Sequence, residues 1–167
     1  MIRAIFFDLG DTLVSEEDIG NKHLWEVTLK KLPHFDEVLT ELKRKGFKLG
    51  IITNTTTSRE EHVRAALRKI DAEKYFNAIV TSVDVGHDKP DERIFVTALR
   101  KLRVKPKEAA MVGNRVSTDI VGANRIGMKT ILLKWNRRYQ ERITLPEEQP
   151  TRTIKSLREL PPVLKEL

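Results

Sequence analysis

The sequence contains no cysteine, which excludes disulfides, thiolate metal sites and thiol nucleophiles at once. No apolar run approaches the roughly 18 residues of a membrane span. The opening Met1-Ile2-Arg3, followed by a short apolar run that ends at Asp8, is too short and too acidic at its end for a secretory signal. A cytoplasmic protein with no membrane partner is expected. Glutamine is scarce, found only at Gln140 and Gln149, while Lys, Arg and Glu dominate. That balance resembles thermophilic proteomes, where ion-pair networks replace labile residues. The four histidines, His23, His34, His62 and His87, show no metal-ligand spacing. His87, close to Lys89, either lines the mouth of a site or is a solvated loop residue.

What is present is enough for a core inside a solvated shell. The 167 residues, 40% hydrophobic and 33% charged, suit one domain spanning 1–167. The formal net charge is +7, which fits a nucleic-acid partner but also solvated helix faces and attraction for anionic substrates. Lys43-Arg44-Lys45 and Arg100-Lys101-Leu102-Arg103 both close helical segments, where cations complement the dipole. Arg137, Arg138 and Arg142 form the one cluster with aromatic neighbours, Trp135 and Tyr139. Nucleic acid stays open as a partner without being favoured.

Apolar runs alternate with helical periodicity. Residues 2–7, 47–53, 78–82, 108–113 and 129–134 read as buried parallel strands. Asp36 to Lys45 predicts a helix with apolar Val38, Leu39 and Leu42, stopped by Gly46. Ser58-Arg59-Glu60-Glu61 reads as a capping box opening a helix through about Ile70. Pro90 stands where a first helical residue would, ahead of an apolar face of Ile94, Phe95, Ala98, Leu99 and Leu102. Ser117 to Ile126 predicts a helix ended by Gly127, and Ser156-Leu157-Arg158-Glu159 a capping box opening a short C-terminal helix. The alternation predicts an α/β fold, a parallel sheet with helices on both faces. Residues 136–150, with Pro146 and Pro150, read as a loose loop before the last helix.

Chemistry-bearing side chains recur where the strands end. Asp8 follows Ala4-Ile5-Phe6-Phe7, Thr53 and Asn54 follow Leu49-Gly50-Ile51-Ile52, and Asn114 and Asp119 follow Ala110-Met111-Val112-Gly113. Lys89 precedes a helix. Open α/β sheets bind ligands outside the carboxyl ends of their strands. Phosphoryl transfer needs a nucleophile, anion-binding donors, a cation to offset charge and an acid for the leaving group. Asp8 can attack, and Thr53 can bind phosphate through its hydroxyl and N–H. Asn54 can hold the substrate or orient Asp8, and Lys89 can neutralise nucleophile and transferring group. Asn114 and Asp119 can hold a cation. Taken singly, each has a plainer explanation: Asp8 and Asp11 as turn or cap residues, Thr53 and Asn54 as a strand end, Lys89 as a surface lysine, Asp119 as a helix N-terminal acid. Their order and position together argue for one site.

Phe6-Phe7-Asp8-Leu9-Gly10-Asp11-Thr12-Leu13 resembles the first motif of the haloacid dehalogenase (HAD) superfamily of aspartate-nucleophile hydrolases. That motif is an Asp, one residue, usually a second Asp, then Gly-Thr. Ile51-Ile52-Thr53-Asn54 resembles the second motif and Lys89-Pro90-Asp91-Glu92-Arg93-Ile94-Phe95 the third. Val112-Gly113-Asn114-Arg115-Val116-Ser117-Thr118-Asp119-Ile120 resembles the fourth, which usually has Asp after the Gly. The resemblance covers nearly the whole chain. It implies a Rossmann-like sheet, Mg²⁺ dependence and an aspartyl-phosphate intermediate. It also implies that the Gly10 carbonyl joins Asp8, Asn114 and Asp119 at the metal.

The sequence departs from that pattern twice. Gly10 stands where the acid/base carboxylate is usual, and Asp11, one place later, should point elsewhere. General acid–base help is typically worth about 10²–10⁴-fold, so alkyl phosphates should turn over slowly. Acyl or aryl phosphates, whose leaving groups need no proton, should suffer less. Asn114 replaces a carboxylate, and an amide is the weaker ligand for a hard cation, so Mg²⁺ should bind weakly. Halide-removing members share both departures, which keeps a metal-independent 2-haloacid dehalogenase open beside a fold that binds a phosphorylated ligand without turnover. Only residues 14–33 lie between the first motif and the helix leading to the second. They can form a flap and one short helix with Leu24, Trp25, Leu29 and Leu32 as its buried side. Trp25 either covers the site or sits in the core. So small a cap admits a bulky phosphorylated substrate, or one completed by a partner subunit in an oligomer.

Overall fold

Ala4-Ile5-Phe6-Phe7 forms β1 (Ala4–Phe7), and all four residues are buried. The strand is covered on both faces and paired on both edges. In the computed structural model, which describes residues 1–17, 19 and 22–167, five further strands join it. They are β2 (Lys48–Thr53), β3 (Ala78–Thr81), β4 (Ala109–Gly113), β5 (Lys129–Leu133) and β6 (Arg152–Ile154). The order is β3-β2-β1-β4-β5-β6 and every pair is parallel. This is a Rossmann-like α/β sheet. The helices are α1 (Phe35–Arg44), α2 (Glu60–Lys69), α3 (Ser82–Val85), α4 (Glu92–Leu102), α5 (Val121–Arg125) and α6 (Leu160–Leu164). Among the described residues no helix is long and apolar enough to cross a membrane.

Strand alternation sorts the core into two layers. Ile5 and Phe7 pack with Val38, Leu39 and Leu42 of α1, Val63 and Leu67 of α2 and Leu160 of α6. Ala4 and Phe6 face the other way, with Ile94, Phe95, Ala98 and Leu99 of α4 and Ala123 of α5. Each large apolar side chain buried in this way stabilises the fold by about 1.5–3 kcal/mol. The chain runs outward from β1 through β2 to β3, then returns to β4 on the other side of β1. This reversal opens the crevice in which doubly wound sheets bind ligands. Phe7 lies opposite both Ile51 and Val112, so Asp8 emerges between the ends of β2 and β4.

Several boundaries differ from the sequence reading. The sixth strand, β6, was not expected. It has three residues at the sheet edge, two of them exposed, and so carries no continuous apolar run. The box opening α2 sits one residue later than Ser58 to Glu61: the Arg59 N–H donates to His62 Nδ1 at 2.9 Å. Pro90 is not a first helical residue. Asp91 caps α4 by accepting the Arg93 N–H at 2.9 Å, and the helix begins at Glu92. The expected 117–126 helix opens as a π turn, Val116–Ile120, before α5.

In the 14–33 flap, residues 18, 20 and 21 lie outside the described residues. The short helix is one 3₁₀ turn, Leu24–Glu26. Leu24, Leu29 and Leu32 are buried, but Trp25 is 44% exposed and is not a core residue. One turn cannot put both Leu24 and Trp25 on the same face, and the indole instead stacks on His23 at 4.2 Å between ring centroids. Nor is the 136–150 segment loose. It is nearly without regular structure, but Trp135 Nε1 donates to the Asp11 carbonyl at 2.7 Å just before it. Asn124 Nδ2 then holds its far end through the Glu147 and Gln149 carbonyls at 2.7 and 2.9 Å.

Asp84 offers a test of how the helices on the β2–β3 side are held. Its carboxylate accepts the Glu60 N–H at 2.7 Å, capping α2, and also the Thr81 hydroxyl at 2.8 Å and Arg59 Nη1 at 3.1 Å. Burial pushes its pKa up, but these three donors outweigh burial and hold it below the ordinary 3.8. A depressed carboxyl contributes stability above its unfolded-state pKa and loses it as the pH falls through the folded one. Asp84→Ala should cost about 1 kcal/mol near neutrality. In urea titrations the difference from the native protein should shrink as the pH drops below that ordinary value.

Candidate active site

The ammonium of Lys89 is the centre of the site. It donates to Asp8 Oδ1 at 2.8 Å, Asp119 Oδ1 at 2.7 Å and the Ile52 carbonyl at 2.8 Å. Three donors meet three acceptors, as a buried ammonium requires. The Lys89 and Asp119 side chains are almost wholly buried, and Asp8 keeps 14% of its surface open to a cavity. Burial works against the Lys89 charge, but Asp119 and Asp8 outweigh it and raise its pKa above the lysine norm. Burial pushes the Asp119 carboxyl up to about 6, against the pull of Lys89. Among the described residues nothing donates to Asp8 Oδ2, and Asp8 lines the cavity.

Each member of this group is placed by a different strand end. Asp8 follows β1 and its N–H donates to the Val112 carbonyl at 2.9 Å. Asp119 comes from the π turn after β4, where the Arg115 N–H donates to its Oδ2 at 3.1 Å. Gly113 makes room for it, since a Cβ there would stand 2.2 Å from Asp119 Oδ2. Turns of this width inside helices recur at functional sites. Asn54, after β2, clamps the Lys89 backbone: its Nδ2 donates to the Lys89 carbonyl at 3.1 Å, and its Oδ1 accepts the Lys89 N–H at 2.8 Å.

The cavity is about 430 Å³, within the size range of small-molecule sites. Asp8, Gly10, Thr53, Asn54, Lys89 and Asn114 all line it. Of the residues given catalytic or metal-binding roles in the sequence, Asp119 alone is absent from the wall, behind Lys89. Asn114 Oδ1 accepts the Thr12 hydroxyl at 3.3 Å. The cavity also draws in Glu16, His23, Arg115 and Tyr139, which sequence reasoning did not single out as site residues. The available signal was the aromatic and basic cluster around Trp135, Arg138 and Tyr139. It folds onto the first motif rather than outward to solvent. His23, not His87, lies at the mouth. His87 sits away from the cavity, its Nδ1 3.9 Å from the Asp91 carboxylate, on the approach to α4.

Asp11 does point away from the cavity. It is fully buried with φ +55°. Its Oδ2 accepts Arg138 Nε at 2.6 Å and Asn136 Nδ2 at 3.1 Å, and its Oδ1 accepts the Glu16 N–H at 2.8 Å. Its role is to fasten flap and loop together over the site.

Among the described residues no three or more His, Asp or Glu side chains are grouped to hold a metal ion. Mg²⁺ needs fewer protein ligands than that, because it keeps waters and shares substrate phosphates. Asp8, Gly10 and Asn114 line the cavity and carry oxygen atoms of the type such an ion takes. Both oxygens of Asp119 are already engaged, by Lys89 and the Arg115 N–H.

The family model for haloacid dehalogenase-like hydrolases matches residues 17–133, a span that takes in Thr53, Lys89, Asn114 and Asp119 and begins after Asp8. A glyceraldehyde 3-phosphate phosphatase of Methanothermobacter thermautotrophicus is 38% identical over 133 residues, covering 80% of this chain and 58% of that protein. The protein of the same name from Methanopyrus kandleri is 34% identical over 167 residues, covering 100% of this chain and 70% of its own length. The chain thus spans 58% and 70% of these two curated relatives. The crystal structure of an uncharacterized protein from Listeria monocytogenes serotype 4b superposes with a TM-score of 0.82 at 28% identity, over 99% of this chain and 100% of that one.

Removing one partner from a buried ion pair strands the other charge, at a cost of about 3–5 kcal/mol. Lys89→Met should therefore destabilise the protein by about that much in urea unfolding. Adding Asp119→Asn to Lys89→Met should recover part of the loss, because one of the two stranded carboxylates is gone.

Proposed function

The chain belongs to the haloacid dehalogenase-like hydrolase family, and from that premise we propose that it is a phosphatase working through an aspartyl-phosphate on Asp8. The observation that carries this reading is the Lys89 ammonium, 2.8 Å from Asp8 Oδ1 at the floor of the cavity. It stands against the attacking carboxylate and offsets charge on the transferring group. Thr53, at the end of β2, binds a phosphate oxygen. Asn54 acts through Lys89, since both ends of its amide hold the Lys89 backbone. Mg²⁺ would be held by Asp8, the Gly10 carbonyl and Asn114, with Asp119 behind them, and would neutralise charge on the phosphoryl oxygens.

The substrate we infer is a small phosphate ester or anhydride. Flap residues Glu16, Ile19 and His23 wall the cavity, so its volume suits a small molecule better than the bulky substrate that an uncapped site would admit. Two kinds of relative, glyceraldehyde 3-phosphate phosphatase and pyrophosphatase PpaX, carry names of that chemistry.

Phosphate release from acetyl phosphate and p-nitrophenyl phosphate tests the reading. Turnover should require Mg²⁺, stop in EDTA and fall on the order of 10³-fold or more in Asp8→Asn. Native turnover no higher than that of Asp8→Asn would sink the phosphatase reading and leave a fold that binds phosphorylated ligands without hydrolysing them.

A further inference from the structure

An alkoxide leaving group needs a proton, and Gly10 has no side chain to supply one. Asp11 is buried and engaged with Arg138, and Asp119 lies behind Lys89. Among the described residues that line the cavity, the two carboxylates are Asp8 and Glu16. Asp8 is the nucleophile, which leaves Glu16.

Glu16 also occupies a telling place. A Cβ built on Gly10 would meet Glu16 Cγ at 3.5 Å and its Cβ and Cδ at 3.6 Å. The flap therefore brings a carboxyl-bearing side chain into the room that a side chain at position 10 would enter. Its position is held from several directions. The Glu16 N–H donates to Asp11 Oδ1 at 2.8 Å, and Asp11 is itself pinned by Arg138. The Tyr139 hydroxyl donates to Glu16 Oε1 and Oε2 at 3.0 and 3.2 Å. The Arg115 guanidinium lies over the Tyr139 ring, 4.4 Å from its centroid.

We propose that Glu16 is the general acid and base of this hydrolase, delivered from the flap, with Tyr139 as its positioning residue. The assignment rests on the phosphatase reading above. In the first half-reaction an Asp8 oxygen bonds to phosphorus and the bond from phosphorus to the leaving oxygen breaks. That oxygen takes the Glu16 proton and departs as an alcohol. In the second half-reaction Glu16 takes a proton from water as the water oxygen attacks phosphorus. The bond from phosphorus to Asp8 breaks, inorganic phosphate leaves, and both carboxyl groups return to their starting states.

Glu16→Gln keeps the size of the side chain and an acceptor for Tyr139 but cannot exchange the proton. The measurement is kcat/KM for glycerol phosphate and for p-nitrophenyl phosphate, because kcat/KM reports the steps through release of the alcohol. For glycerol phosphate it should fall about 10²–10⁴-fold, while for p-nitrophenyl phosphate it changes by less than about tenfold. A burst of p-nitrophenol followed by slow turnover should appear, since water attack has also lost its base. Gly10→Asp on the Glu16→Gln background returns a carboxylate to the same room and should recover most of the alkyl phosphate activity.

An equal fall on both substrates would give Glu16 a purely structural role and overturn the assignment. No fall on either, or no recovery in the double variant, would also overturn it while leaving the phosphatase reading intact. A native protein no more active than Asp8→Asn would remove both.

Discussion

An ammonium buried beneath the ends of three strands is the constraint on which the rest of this molecule turns. Lys89 cannot sit there unpaired, because the cost of desolvating an isolated charge is several kcal/mol. Its three acceptors come from Asp8 after β1, the Ile52 carbonyl within β2, and Asp119 in the turn after β4. None of these is near another in sequence, so the charge is satisfied only when β1, β2 and β4 stand in their native order. The reversal of the chain at β1 supplies that order. The Asn54 clamp fixes the lysine backbone, and Gly113 leaves the space that Asp119 needs. The apolar layers on both faces supply the stability that tolerates this polar cluster in the interior.

Asp11 plays the corresponding part for the roof. It too is a buried charge whose partners are remote in sequence, here Asn136 and Arg138. Its peptide carbonyl takes the Trp135 indole, and its other carboxylate oxygen takes the Glu16 N–H. One side chain thereby ties the flap to the segment after β5, and Tyr139 closes the same connection through Glu16. A short flap can wall a cavity because it is bolted to a second segment, and this explains how so few residues after the first motif form part of a site.

The sheet and the floor of the site were legible in the sequence for a simple reason. Buried parallel strands leave continuous apolar runs, and their carboxyl ends are where polar residues then stand out. Asp8, Thr53, Asn54 and Asn114 were found in that way, Lys89 from its place ahead of a helix, and all five line one cavity. What escaped is what periodicity does not record. Strand β6 buries one residue and so has no apolar run. Trp25 lies on a single turn, too short for a helical face to be read. Asn54 proves to act on the Lys89 backbone, a role that residue type cannot reveal. Tyr139 joins the site through contacts with Glu16, 123 residues away, and with Arg115 on another segment, and such contacts leave no local pattern.

The amide at position 114 makes physical sense beside this arrangement. Two carboxyl groups, Asp8 and Asp119, already share the one ammonium of Lys89, and an incoming phosphate brings further negative charge. A carboxylate at 114 would raise the repulsion again in a medium of low dielectric and would need a tightly held divalent ion to offset it. Asn114 offers the cavity an oxygen atom without a charge. Lys89 can then supply a larger share of the neutralisation, and on the proposed reading Mg²⁺ would come with the phosphate instead of waiting in a preformed cage. The same economy applies at Gly10. A carboxylate there would stand on the motif backbone, two residues from Asp8. Glu16 brings one from the flap instead, where the Tyr139 hydroxyl faces it and the Arg115 guanidinium stacks on that ring.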